Sequence, residues 1–131
     1  KALCEAVNWH PQWAKPYVVD ADAELVNRIG GTDMVRGNTI SAVGFYGPQG
    51  RELRLPLAHP ELNSKIEQFE FNCRKITNYE MESAPLQGFA KLLGHKAMTV
   101  CTIIANRMNH NATPNYKTAI NDLISTVLDR I

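Results

Sequence analysis

An α/β layered fold is what the 131-residue sequence predicts, and three observations predict it. Short β-branched runs alternate with segments whose apolar residues recur at helical spacing. One run, Ala97–Ala105, is nearly continuous in apolar residues, the pattern of a strand buried on both faces of a sheet. The final segment repeats Tyr116, Ile120, Leu123, Ile124, Val127, Leu128 and Ile131 as a helix stripe. Layers of strands and helices follow from such alternation.

Each element has its own signal. Lys1 to Pro16 is aromatic, interrupted by proline, and has no clear period. Tyr17-Val18-Val19 reads as a short strand. Asp20 or Asp22 can cap a helix through Leu25, Val26 and Ile29 that Gly30-Gly31 stops. Thr39–Val43 reads as the next strand and enters a glycine-rich segment, Gly44 to Arg51. Pro60 at a first helical position, then Leu62, Ile66 and Phe69, predicts an amphipathic helix. Ile76–Tyr79 is strand-like. Ser83-Ala84-Pro85 resembles an N-cap and first turn, with Leu86, Phe89, Ala90 and Leu93 inward and Gly94 closing. Thr113 is expected to cap the last helix and Pro114 to start it. With no repeat and no Gly/Ser-rich linker, residues 1–131 read as one domain. The few strands would leave sheet edges open, which calls for a partner segment.

Composition narrows the function classes. The chain is 44% hydrophobic and 21% charged, with net charge +1 and the two signs mixed along it. No basic stripe exists for a phosphate backbone, so nucleic acid is not an expected partner. No apolar run approaches the length of a membrane span, and the first residues do not resemble a signal peptide. Cys4, Cys73 and Cys101 are scattered and odd in number, which fits a reduced, cytoplasmic setting; Cys101, in an apolar run, is expected to pack as a small hydrophobe. Asn111-Ala112-Thr113 matches a glycosylation sequon of little weight. His10, His59, His95 and His110 have no partner at metal-ligand spacing, so no metal is expected.

Three segments can carry chemistry. In Phe45-Tyr46-Gly47-Pro48-Gln49-Gly50-Arg51, a tight loop holds an aromatic ring, a carboxamide and a guanidinium. A carboxamide presents donor and acceptor side by side, matching the N–H and C=O edge of an imide such as uracil. An arginine two residues on can bond a second carbonyl and stabilise charge there. A solvated turn explains the same composition. In Tyr79-Glu80-Met81-Glu82-Ser83, two carboxylates flank a methionine at a strand end, where ligands of open α/β sheets bind. Either carboxylate could accept from paired sugar hydroxyls, and either could simply favour a helix N-terminus. The third, Ile103-Ile104-Ala105-Asn106-Arg107, is an apolar run ending in polar residues. No nucleophile elbow or triad is present.

Together these segments resemble the nucleoside phosphorylase family, its uridine phosphorylase branch in particular. The motifs that carry the resemblance are Phe45–Arg51, Asn78-Tyr79-Glu80-Met81-Glu82-Ser83-Ala84 and Ile103–Arg107, in matching order from about Tyr17 onward. The resemblance implies a three-layer α/β sandwich of which only the C-terminal half is present. It implies phosphorolysis of uridine to uracil and ribose 1-phosphate, with inorganic phosphate as co-substrate and no cofactor or metal. Gln49 and Arg51 would hold the pyrimidine, Phe45 would pack beside it, and Tyr79, Ile104 and Ala105 would line the base pocket. Met81 and Glu82 would take the ribose, leaving Arg51 and Glu82 as the catalytic pair.

Purine-cleaving relatives place an aspartate near the position of Asn106, which is no general acid, so a pyrimidine is preferred. The loop reads Gly-Pro-Gln-Gly-Arg where better-known members have Pro-Gly-Gln-Glu-Arg, so its backbone path is expected to differ. Family subunits are about double this length, and the phosphate-binding residues belong to the half not seen here. Residues 1–131 alone are therefore expected to be inactive. The family forms homo-oligomers, commonly hexamers built from dimers. A non-enzymatic nucleoside-binding or assembly half-domain, or a purine phosphorylase or nucleosidase, are the competing readings.

Overall fold

Strand β3 (Arg74–Glu80) organises the structure, a computed structural model that describes residues 1–106 and 111–131. β1 (Asn38–Ser41) runs parallel to β3, with Thr39 opposite Asn78, Ile40 opposite Tyr79 and Ser41 opposite Glu80. β2 (Glu70–Phe71) pairs antiparallel on the other side, giving the order β1-β3-β2. The β2–β3 hairpin turns through Asn72 and Cys73, at φ 51° and 58°. Two consecutive left-handed residues make the tight turn that suits strand twist, and asparagine tolerates that region better than most residues.

Five α-helices accompany this small sheet among the described residues. α1 is Ala2–Ala6 and α2 is Ala23–Ile29. Asp22, not Asp20, caps α2 by accepting from Leu25 N–H at 3.0 Å. α3 (Leu62–Gln68) packs on β3 and presents Ile66 to the interior. It begins two residues after Pro60, which lies in the preceding turn rather than at a first helical position. α4 (Ser83–Leu92) packs near β1 and ends as expected at Gly94, φ 75°. His95 N–H bonds Ala90 C=O at 2.7 Å and Gly94 N–H bonds Lys91 C=O at 3.2 Å, so the last turn's carbonyls are satisfied in a Schellman arrangement. β4 (Ala105–Asn106) and β5 (Asn111–Ala112) form a separate antiparallel pair, followed by α5 (Tyr116–Leu128). The aperiodic N-terminal segment docks through rings: Trp13 meets His59 edge-on at 4.5 Å and Trp9 at 5.1 Å.

Several expectations are corrected. Residues 97–104 form no strand and are not buried on both faces; Ile103 and Ile104 are about half exposed, and Cys101 is exposed. They are held by isolated bonds instead: Asp22 N–H to Ala97 C=O, Gln87 Nε2 to Thr99 Oγ1, and Thr113 N–H to Ile104 C=O. A β-branched run becomes a strand only where a neighbour offers a ladder, and local sequence does not say whether one does. Tyr17-Val18-Val19 is likewise unpaired, with Val18 90% exposed. Thr113 does not cap α5. Its hydroxyl donates to Ile103 C=O at 3.0 Å, and the helix starts after Asn115.

The core is thin. Val7, Ile29, Ala42 and Ile66 are the buried hydrophobic residues among those described, while Leu86, Phe89, Leu92 and Leu93 of the α4 region stand exposed. The accessible surface is 9922 Å². A free-standing globular protein of this length exposes about 6,900 Å², so roughly 3,000 Å² of surface is left uncovered. An open groove of about 2620 Å³, lined in part by the exposed Tyr17, Val18, Val35, Leu53 and Leu55, is far beyond the volume of a small-molecule pocket.

Candidate active site

The parallel pairing of β1 with β3 brings two of the three motifs to one edge. Ser41 and Glu80 are register partners, and Ala42 N–H continues the ladder to Glu80 C=O at 2.8 Å. The Phe45–Arg51 loop therefore departs from one strand end, and Met81-Glu82 departs from the C-terminal end of its neighbour. That is the ligand position of open α/β sheets.

The loop closes on itself through a 3₁₀ turn over Gly47–Gln49 and a left-handed Gly50 at φ 74°. Arg51 N–H bonds Tyr46 C=O at 3.0 Å. The Arg51 side chain folds back, donating to Phe45 C=O at 3.0 Å with its guanidinium 3.4 Å from the centre of the Phe45 ring. Phe45 and Arg51 are thus one stacked unit, and one face of the ring is taken by the guanidinium. Gln49 is buried, 3% exposed, beneath the loop. Asn63 of α3 donates to Gln49 C=O at 3.2 Å and accepts from the Tyr79 hydroxyl at 2.8 Å. Loop, helix and strand are joined through that one amide.

At the other strand end the two carboxylates have different work. Glu80 accepts from Glu82 N–H at 2.6 Å, from Ser83 N–H at 2.5 Å and from the Ser41 hydroxyl, whose oxygen in turn accepts from Ala84 N–H at 2.8 Å. These are orphan donors of the first turn of α4, so Glu80 caps the helix from three residues upstream. Burial pushes its carboxyl up. The Ser41 hydroxyl and the Glu82 and Ser83 contacts outweigh that and hold it below the ordinary glutamate value. Glu82 is exposed, and its carboxylate accepts from the adjacent Met81 N–H at 3.2 Å. Both carboxylates border a cleft of about 370 Å³ that Met98, Thr99 and Cys101 also line, within the size range of small-ligand pockets.

Of the described residues of the third motif, Ile103 lines the groove together with Tyr46, Arg51 and Tyr79 of the other two. Ile104 and Ala105 are exposed and line neither the cleft nor the groove. Asn106 is exposed on β4. Arg107 and His110 lie outside the described residues. Asn63 and Ser41 were not singled out from the sequence. The signal for Asn63 is its place one turn before buried Ile66, a polar residue on an inward face. Ser41 had none, because its role depends on strand register.

A mixed α/β protein with its candidate site beyond parallel strand ends is the class that this fold defines. More particularly, the fold matches part of a nucleoside phosphorylase. The solved structure of a Trypanosoma brucei nucleoside phosphorylase, described as showing uridine phosphorylase activity, superposes with a TM-score of 0.68 at 25% identity. The match covers 82% of this chain and 38% of that one, so the chain spans well under half the length of its structural neighbour. No family model matches the sequence.

Proposed function

We propose that this chain carries the base- and ribose-binding part of a uridine phosphorylase-type enzyme. One observation carries the reading: adjacent parallel strand ends deliver the Phe45–Arg51 unit and Met81-Glu82 to the same edge, with Glu82 the carboxylate not consumed in capping. The likeness to a nucleoside phosphorylase fold supports it.

In this reading Glu82 accepts from the ribose hydroxyls, while Met81, about one-third exposed, packs against the sugar. Gln49, Arg51 and Tyr79 hold the uracil, and Ile104 and Ala105 wall the base. Phosphate displaces the base as the sugar passes through an oxocarbenium-like state. Negative charge then grows on the uracil oxygens, where the Arg51 guanidinium stabilises it. Glu82 gains strength over the same step because the sugar it holds turns cationic. No proton need be donated to a uracil so stabilised, and Asn106 has no acid to give. The phosphate cradle and the three-layer sandwich are completed by the rest of a phosphorylase-type subunit. The roughly 3,000 Å² of surplus surface is what that part would cover.

Base selectivity tests the reading. In the full-length protein kcat/KM for uridine should exceed that for inosine by at least an order of magnitude in the presence of phosphate. Inosine cleaved as well as uridine would move the assignment to the purine branch.

A further inference from the structure

Asn63 belongs to none of the three motifs, yet it sits where two of them meet. It is half-buried on α3, with Ile66 one turn further along the same face. Its side-chain N–H donates to the Gln49 backbone carbonyl and its side-chain oxygen accepts from the Tyr79 hydroxyl. The backbone leaves it no slack. A Cβ built on Gly50, which follows Gln49, would lie 2.0 Å from the Asn63 amide nitrogen, and Gly50 already stands at φ 74°. Loop path and amide position therefore fix one another. The substitution of Gly-Pro-Gln-Gly-Arg for a Pro-Gly-Gln-Glu-Arg pattern, which puts a glycine at position 50, is compatible with an amide pressed this close.

We propose that Asn63 is a positioning residue for base recognition: it locks Gln49 and Tyr79 in one relative geometry and so sets affinity for the uracil ring without touching it. The inference rests on the nucleoside reading above. Asparagine fits this role because the site needs a donor toward a carbonyl and an acceptor toward a phenol from one short side chain. Aspartate would keep the acceptor and lose the donor. Alanine would lose both.

The test separates the base from the sugar. Calorimetry on the full-length protein measures uracil and ribose 1-phosphate as separate probes for the wild type, Asn63→Ala, Asn63→Asp and Tyr79→Phe. The expected result is a loss of uracil affinity of about tenfold for Asn63→Ala, equivalent to about 1.4 kcal/mol, with ribose 1-phosphate binding within twofold of wild type. Asn63→Asp and Tyr79→Phe each remove one bond and should lose uracil affinity in the same direction. The pair Asn63→Ala and Tyr79→Phe should combine to less than the sum of the single effects, because they break a shared contact. Should Asn63→Ala fold poorly, the Asn63→Asp and Tyr79→Phe comparison still decides the matter. Unchanged uracil affinity in the variants, or equal losses for both probes, overturns the positioning role while leaving the nucleoside reading intact. A wild type that binds ribose 1-phosphate and uracil no better than an unrelated protein overturns the nucleoside reading and this inference with it.

Discussion

Replacing Glu80 and Glu82 one at a time by glutamine distinguishes the two carboxylates by stability before any activity is measured. Glu80→Gln keeps the shape and one carbonyl acceptor but removes the charge that serves the Glu82 and Ser83 N–H groups and the Ser41 hydroxyl. Loss of a capping acceptor costs about 0.5–2 kcal/mol, and the charge-assisted bonds at the α4 N-terminus place Glu80→Gln at about 1–2 kcal/mol. With a urea dependence of about 2 kcal/mol per molar, the unfolding midpoint should fall by roughly 0.5–1 M at neutral pH. Glu82→Gln removes an exposed carboxylate whose bond is to its neighbour's N–H, so its stability should stay within about 0.5 kcal/mol of wild type and its midpoint within about 0.25 M.

Acid sharpens the contrast. The folded-state value of Glu80 is depressed, so its contribution is present above the ordinary glutamate value of 4.5 and is lost as pH falls through the folded value. The gap between wild type and Glu80→Gln should thus be full at pH 7 and narrow progressively below about pH 4.5. Urea titrations at several pH values, followed by circular dichroism, give the comparison. A Glu82→Gln midpoint that falls as far as that of Glu80→Gln, or a Glu80→Gln gap that does not narrow in acid, would refute the division of roles.

Two further outcomes follow from the same geometry. Glu82→Gln should lower kcat/KM for uridine roughly 10- to 100-fold in the full-length protein, since a charge-assisted contact of about 1.5–3 kcal/mol is lost at the ribose; steady-state kinetics at neutral pH would check it, and wild-type kcat/KM would move the ribose role elsewhere. Phe45→Leu removes the ring under the Arg51 guanidinium and should cost about two- to fivefold in kcat/KM for uridine, the worth of a surface cation–π contact of about 0.5–1 kcal/mol; an effect above a hundredfold would mean that Phe45 meets the base directly.

Much of the local structure was legible from the residues alone. An aspartate cap for α2, Gly94 as a left-handed stop and the existence of α3, α4 and α5 rest on interactions within a few residues and are found, whereas the starts of α3 and α5 shift by two residues and Leu86, Phe89 and Leu93, expected inward on α4, stand exposed. The positions of the loop at Phe45–Arg51 and of the strand end before Glu82 were legible for the same reason. Tertiary structure decided what depends on partners far along the chain. Whether Glu80 or Glu82 caps α4 turns on Ser41, 39 residues away, which reaches Glu80 only because β1 pairs with β3 in one register. The burial of Gln49 and its tie to Asn63, 14 residues on, come from the seating of α3. Residues 97–104 carry every local mark of a buried strand, yet form none: hydrogen bonding between strands is a property of the pair, and a single run of sequence holds only one member of it.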